Sequence, residues 1–403
     1  MIIRARSLVT MDGPPIANGA VAVSGNRIAD VGSFADVRGR NAGEVLDLGE
    51  CALLPGLINA HCHLDYTCLR GQIAPQPSFA DWIRAINERK AALTPEDYVR
   101  SIEAGFAEAA GFGTTTLVNL EAFPALLRRM DQPALRTWWF AEMIDVREAV
   151  SARAMHNEMR AKWPDGLHNI GLAPHAPFTA SKDLYRESAA IGAAYDLPLT
   201  THLAESREEM QMFREARGPL FEFMKAMGRP MEDCGAGTPL ALMLRSGILN
   251  ERWLVAHMNE IDPSDLQQLA TARRFHVVHC PRSHAYFSHS PFARRQLAEL
   301  GYNICVGTDS LASNHDLSLF RELRQLRQTE PSLAARELFG MVTWRAAAAI
   351  GQQDLLGRIR GGFAADLIAV PSRAADENTF EELLEFDQQV PWIMVDGKLL
   401  TRP

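Results

Sequence analysis

The sequence predicts an α/β protein: a (β/α)8, TIM-like barrel over residues 55–345, with a small β-sandwich domain assembled from residues 1–54 and 346–403. Three observations predict it. Short apolar runs alternate eight times with amphipathic stretches through the middle of the chain. Strand-and-turn patterns occupy both ends. Metal-competent polar residues recur at the far ends of the apolar runs.

The first 54 residues read as four β segments, Met1–Ala5, Ala20–Ser24, Arg27–Val31 and Val45–Leu48, divided by Asp12-Gly13, Asn18-Gly19 and Gly25-Asn26 turns. The C-terminal end repeats the pattern with Asp366–Val370, Gln389–Val395, an Asp396-Gly397 turn and Lys398–Thr401. Strands at both ends of a long middle section place the two termini in one small β domain. Barrel strands are expected at 54–60, Thr114–Leu120, Arg136–Ala141, His168–Ala173, Leu197–Thr201, Arg252–Ala256, Phe275–Val278 and Tyr302–Val306. Helical patterns such as 97–111, 182–195, 207–227 and 263–273 lie between them.

Composition narrows the function. The 403 residues are 47% apolar and 22% charged, enough for a large core and unlike a disordered chain. Net charge is −8 and the basic residues are scattered, which argues against a nucleic-acid surface and for a small-molecule substrate. Cys51, Cys62, Cys68, Cys234, Cys280 and Cys305 form no CxxC pair, so neither a disulfide framework nor a thiolate metal site is indicated. No apolar stretch approaches membrane-spanning length and the start lacks a signal-peptide core, so a cytoplasmic protein without a membrane partner is expected.

In a (β/α)8 barrel the reacting side chains come from the C-terminal ends of the strands. The apolar run Leu53–Ile58 leads into His61-Cys62-His63, and residues two apart on a strand share a side, so both imidazoles would reach one ion. His202 closes the fifth strand, His257 the sixth, and Asp309 follows the eighth. Singly, each has an ordinary alternative: a hydrogen-bonded rim histidine, or for Asp309 a helix N-cap. Five such residues at matching ends of four strands favour a site for zinc or a similar divalent ion. Glu205, three residues after His202, is placed to move protons beside metal-held water, and also sits where a first-turn Glu favours the following helix.

These stretches resemble the amidohydrolase superfamily, in its branch of aminohydrolases acting on purines and related heterocycles. The resemblance rests on Leu54–His63, Leu69-Arg70-Gly71, Gly113–Thr116, Pro174–Thr179, Thr201–Glu205, Ala256-His257, His279–Ser283 and Gly307–Asn314, in family order along nearly the whole chain. It implies His61, His63, His202 and Asp309 as metal ligands, Glu205 as proton shuttle and His257 as the residue orienting the attacking water, with Asp309 sharing the proton relay. Two-metal members carry a lysine at the end of strand 4. Here Ala173-Pro174-His175 stands there, so one metal is expected, zinc first and iron second, with His175 facing the substrate.

The implied activity is hydrolytic release of ammonia from a cyclic amidine. Trp82, in a long aromatic connection after strand 1, matches a pocket tryptophan of related deaminases, or equally packs a lid helix. Deaminases of methylthioadenosine and S-adenosylhomocysteine carry a ribose-holding Glu some residues beyond this Trp. Asn87–Leu93 has no clear counterpart, although Glu88 is near. Asp65 directly after the metal pair, and Pro281–His289 with His284 after strand 7, are similar to the aminodeoxyfutalosine deaminases of menaquinone biosynthesis. Arg70 and Ser310 complete the substrate-side candidates. The first expectation is an adenine-bearing nucleoside such as aminodeoxyfutalosine. Alternatives are a guanine or pterin deaminase, a triazine hydrolase, or a scaffold that has kept the barrel. Related enzymes are often homo-oligomers.

Overall fold

The computed structural model describes residues 1–162 and 168–400. Eight parallel strands form the barrel sheet: Leu57–His63, Thr114–Glu121, Arg136–Met143, His168–Pro174, Leu199–Leu203, Trp253–His257, His276–His279 and Asn303–Val306. A two-residue strand, Asp309–Ser310, then pairs back to the first, Asp309 opposite Cys62 and Ser310 opposite His63. All eight expected strands are present.

The apolar run before the histidines divides in two. Cys51–Pro55 belongs to the terminal sheet, and the barrel strand begins only at Leu57. The break falls at Gly56, where a Cβ would lie 2.1 Å from the Thr115 hydroxyl, so only glycine lets the chain cross from sheet to barrel. The first strand consequently runs three residues further than expected and contains the histidines.

Strands two and three are buried at every position, because the barrel interior takes one face and the outer helices take the other. Ile58, Val118, Leu120, Trp138, Phe140, Leu254, Val278 and Cys305 fill the interior. Trp139, Ala141, Leu172, Trp253, Val255 and Ile304 join the helix-facing core. Ala346, Ala347 and Ala349 of the helix Trp344–Ala349 extend the interior cluster at the N-terminal end of the barrel. There Ile58 N donates to Val342 O, and the Asn303 side chain to Arg345 O.

The two termini together form the small β domain, as one continuous mixed sheet. Its order is Lys398–Leu399, Trp392–Val395, Leu367–Pro371, Cys51–Pro55, Ile2–Leu8, Ile16–Ser24, Arg27–Ser33. Ile2–Leu8 prevents a split, because its first half pairs with Val45–Asp47 and its second half with Cys51–Pro55, both in parallel. Cys51–Pro55 pairs antiparallel with Leu367–Pro371, which joins the two ends of the chain side by side. Thr401, the end of the last expected strand, lies outside the described residues. Among those residues no helix is long and apolar enough to cross a membrane.

A buried ion pair fastens this sheet to the barrel. Arg136, first residue of the third barrel strand, donates from Nε to Asp366 Oδ2 at 3.0 Å and from Nη2 to Asp396 Oδ1 at 3.2 Å. Both side chains of the Arg136–Asp366 pair are less than a tenth exposed. Removing Asp366 leaves Arg136 with only the less buried Asp396 as partner, so Asp366→Ala should lower unfolding free energy by about 1–3 kcal/mol. Denaturant titration checks this, and a loss under 1 kcal/mol would mean water reaches Arg136.

Candidate metal centre and active site

Strand alternation alone does not aim the metal-competent side chains; local departures from it do. Ile58 and Ala60 face the interior while Cys62 joins the outer core, and the register shift between Asn59 and Cys62 makes the change. A bulge of this kind re-aims the residues beside it, here His61 and His63. Alternation from Leu254 would likewise send His257 outward. Its backbone instead turns at φ 74°, and its ring lies 5.3 Å from that of His202. Ala204 (φ 51°) and Asp309 (φ 58°) are also left-handed. Such conformations cost non-glycine residues about 1–3 kcal/mol each, so the surrounding contacts must hold them. Glu260 N donates to Ala204 O, and Ser310 N to Asp309 Oδ1.

The result is a compact buried cluster. Asp309 Oδ1 lies 3.8 Å from His61 Nε2 and 3.9 Å from His63 Nε2. His63 Nε2 lies 3.3 Å from His202 Nε2, and His257 Nε2 lies 3.7 Å from Glu205 Oε1. Donor atoms fall within 4.8 Å of one another in the sets His61–His63–Asp309, His61–His202–His257, Glu205–His257–Asp309 and His63–Glu142–His202. Both ring nitrogens of His61, and Nε2 of His257, are buried without a hydrogen-bond partner. Converging unpartnered nitrogens around a carboxylate fit a nitrogen-and-oxygen-ligated divalent ion such as zinc.

Burial assigns the protonation states. It pushes His61 down to about 3 and His63 and His257 well below the usual imidazole range, so their lone pairs are free to ligate. Burial would raise Asp309, but His257, His61 and His63 and the Ser283 hydroxyl outweigh it and hold the carboxylate below its usual range. Ser283 Oγ donates to Asp309 Oδ2 at 2.6 Å, leaving Oδ1 toward the imidazoles. Burial pushes Glu205 well above the carboxylate range, and the charges of Asp309 and Glu209 push it further. Two carboxyls of one site are thus pushed in opposite directions, Asp309 toward ionisation and Glu205 toward holding a proton. Glu205 is held at both main-chain ends: its N donates to Glu209 Oε2 at 2.7 Å, and its O accepts from Asn259 Nδ2 at 3.2 Å.

A cavity of about 550 Å3 opens above the cluster. His63, His202, His257, Glu205 and Asp309 form its floor, and Phe79, Trp82 and Ile86 of the helix Phe79–Ala91 form a wall. That helix is seated by Glu208, which accepts from Phe79 N at 2.7 Å and Ala80 N at 3.0 Å. Three of the expected substrate-side residues, His175, Trp82 and Ser310, line the cavity.

Three do not. Arg70 is half-exposed and turns away to pair with Glu108 on the outer helix Pro95–Gly111. Asp65 is fully buried behind the wall, where its Oδ2 accepts from Ala122 N at 3.4 Å. His284 Nδ1 meets Asn259 Oδ1 at 3.0 Å, so it supports the residue that holds Glu205. Glu88 is exposed, while Asn87 and Lys90 of the same helix line the cavity.

Glu142 was not anticipated. It is the penultimate residue of the third strand, one residue past the expected boundary at Ala141, lines the cavity, and is pushed up to about 7 by burial. A carboxylate at a strand's C-terminal end is the signal that marks it.

The amidohydrolase family model matches residues 52–400, and a bacterial imidazolonepropionase-like composite domain matches residues 19–43. The 5-methylthioadenosine/S-adenosylhomocysteine deaminase of Pyrococcus furiosus is 28% identical, over 93% of this chain and 87% of that protein. A zinc-bound adenosine deaminase from Xanthomonas campestris superposes with a TM-score of 0.84 at 25% identity, covering 99% of this chain and 92% of that one. The Helicobacter pylori aminofutalosine deaminase in complex with methylthio-coformycin superposes at 0.86 with 20% identity, covering 99% and 100%.

The seam between the last strand and the first offers a test. A Cβ on Gly307 would lie 2.6–2.8 Å from the main chain and Cβ of His61. Gly307→Ala should therefore displace His61, lowering stability by about 1–3 kcal/mol and zinc content well below one per chain. Thermal melting and elemental analysis check it; full zinc content would show that the seam tolerates the methyl group.

Proposed function

Because the chain belongs to the amidohydrolase family, we propose that it is a mononuclear metal-dependent deaminase releasing ammonia from an adenine-bearing nucleoside. The carrying observation is that buried Glu205 and His257 share the floor of one cavity with His63, His202 and Asp309, and that His61 lies in the same donor cluster. His61, His63, His202 and Asp309 would hold the ion, zinc first and iron second. The zinc-bound relative supports zinc. Ala173-Pro174-His175, with no lysine at the end of strand 4, supports a single ion.

The ion, when bound, makes a water nucleophilic at neutral pH. The chain supplies the rest. His257 orients that water by hydrogen bonding, and Asp309 accepts its proton. Glu205 gives its proton to the ring nitrogen beside the attacked carbon, so the ring takes up the electron pair. Asp309 hands the proton it took from the water to the amine, and the proton of the new hydroxyl returns to Glu205 as the C–N bond breaks and ammonia leaves. The hydrophobic wall of Phe79, Trp82 and Phe178 excludes bulk water and gives an adenine ring its stacking surface.

Within this class the first candidate is aminodeoxyfutalosine or a related adenosine derivative. The ribose-holding Glu of the methylthioadenosine deaminases has no clear counterpart in Asn87–Leu93, where Glu88 is exposed and Asn87 and Lys90 line the cavity. The protein named for methylthioadenosine and S-adenosylhomocysteine in Pyrococcus supports the wider adenine-nucleoside class.

Ammonia release by the zinc-loaded protein should therefore favour one adenine nucleoside over guanine, a pterin and a triazine. The panel should contain aminodeoxyfutalosine, adenosine, 5′-deoxyadenosine, methylthioadenosine and S-adenosylhomocysteine. Silence across it with zinc bound would overturn the deaminase reading. Glu205→Gln should keep zinc and lose about 10²–10⁴-fold in kcat; undiminished turnover would remove Glu205 from its role.

A further inference from the structure

The floor of the cavity contains a mismatch that the proposed reaction leaves unused. His63 turns Nε2 toward His202 and Asp309, at 3.3 and 3.9 Å. If that nitrogen gives its lone pair to an ion, the ring proton resides on Nδ1. His63 Nδ1 is buried with no hydrogen-bond partner. Facing it at 3.9 Å is Glu142 Oε1, which is also buried and also without a partner. His202 shows the arrangement His63 lacks, its Nδ1 lying 2.9 Å from His175 O.

We propose that Glu142 is the positioning residue of His63: its carboxylate accepts the Nδ1 proton and fixes the ring with Nε2 aimed at the ion. Metal-ligating histidines characteristically donate their second ring N–H to a carboxylate or carbonyl, which fixes the tautomer and strengthens the ligand. An approach of roughly 1 Å brings the two atoms to hydrogen-bond distance. The site permits that approach, because no bond anchors Oε1 elsewhere. Strand three supplies the aim: Phe140 points into the barrel, and Glu142, two residues on, points the same way into its mouth. Glu142 Oε1 is also 4.0 Å from His175 Nε2, so the same carboxylate stands between the two histidines of the substrate-facing wall. Tyr66 covers the other side of His63, its ring stacked at 5.9 Å with an interplanar angle of 12°. Among the described residues, Glu142 is the carboxylate that faces His63 Nδ1.

The inference rests on the reading of His63 as a metal ligand. It is tested on metal-free protein by zinc titration against a chromophoric chelator, with wild type, Glu142→Ala and Glu142→Gln. Glu142→Ala should bind zinc about 10–100-fold more weakly. Glu142→Gln, whose amide oxygen still accepts, should recover most of that loss. The metal-free Glu142→Ala protein should melt no lower than wild type, because a buried unpartnered carboxyl has been removed. Zinc affinity of Glu142→Ala within threefold of wild type would overturn the proposal, and a raised KM alongside it would make Glu142 a substrate contact instead. Equal zinc losses in both variants, with a lower metal-free Tm, would mark a merely structural role and overturn it too. Wild type that binds no zinc would overturn the metal-site reading itself, a separate failure.

Discussion

The closure of the barrel is the constraint on which the rest depends. The last strand returns to the first through the peptide groups of the residues that carry the chemistry. Thr308 N donates to His61 O at 3.0 Å, and Asp309 and Ser310 pair with Cys62 and His63. Asn59 ties the same seam, its Nδ2 donating to Thr308 Oγ1 at 2.8 Å and its Oδ1 accepting from Thr308 N at 3.1 Å. Gly307 is bare against His61, and that closeness lets the two strands meet. The distance between Asp309 and the two histidines is thus fixed by strand pairing rather than by side-chain reach. A distortion of the seam propagates directly into the ligand geometry.

The same closure buries the floor, and burial sorts the charges. Neutral imidazoles are cheap to bury; an ionised carboxylate is not, unless partners favour it. Asp309 has such partners in the surrounding imidazoles and Ser283, whereas Glu205 faces the charges of Asp309 and Glu209 and is pushed above the carboxylate range. One environment therefore yields an acceptor and a donor from two carboxyl side chains. The left-handed backbone at Ala204, His257 and Asp309 is what places them at the same depth.

Much of this was legible in the sequence, because the barrel leaves two periodic marks: buried strands of near-continuous apolar residues, and polar residues where they end. His61, His63, His202, His257 and Asp309 all carried the second mark. What escaped notice depended on one-residue boundaries and on packing. Ending strand three at Ala141 hid Glu142. Reading Leu53–Ile58 as one strand hid the crossing at Gly56, which is set by contact with Thr115 from a distant part of the chain. Arg70 and Asp65 lie close in sequence to the metal pair, yet the 3-10 turn Leu64–Leu69 carries one outward to Glu108 and the other beneath the wall. Sequence proximity to a ligand says little once the chain has left the strand.

Selectivity must then reside above the floor, since the same ligand set can serve many heterocycles. The helix Phe79–Ala91 is the element free to differ. Its N-terminus is pinned by Glu208 from the segment that follows Glu205, so its position is coupled to the loop of the proposed proton shuttle. Its inner face grades from Phe79 and Trp82 to Asn87 and Lys90. Lys90 Nζ lies 4.6 Å from the Tyr66 ring centroid, and Tyr66 stacks on His63. A cation, an aromatic ring and a proposed ligand histidine are thereby arranged in sequence from the wall to the floor. A substrate whose flat ring sits against Phe79 and Trp82 presents its far end to the polar end of this helix. In the proposed reading, change in that far end would meet residues that leave the floor untouched, so one ligand cage can be kept while its substrate is exchanged.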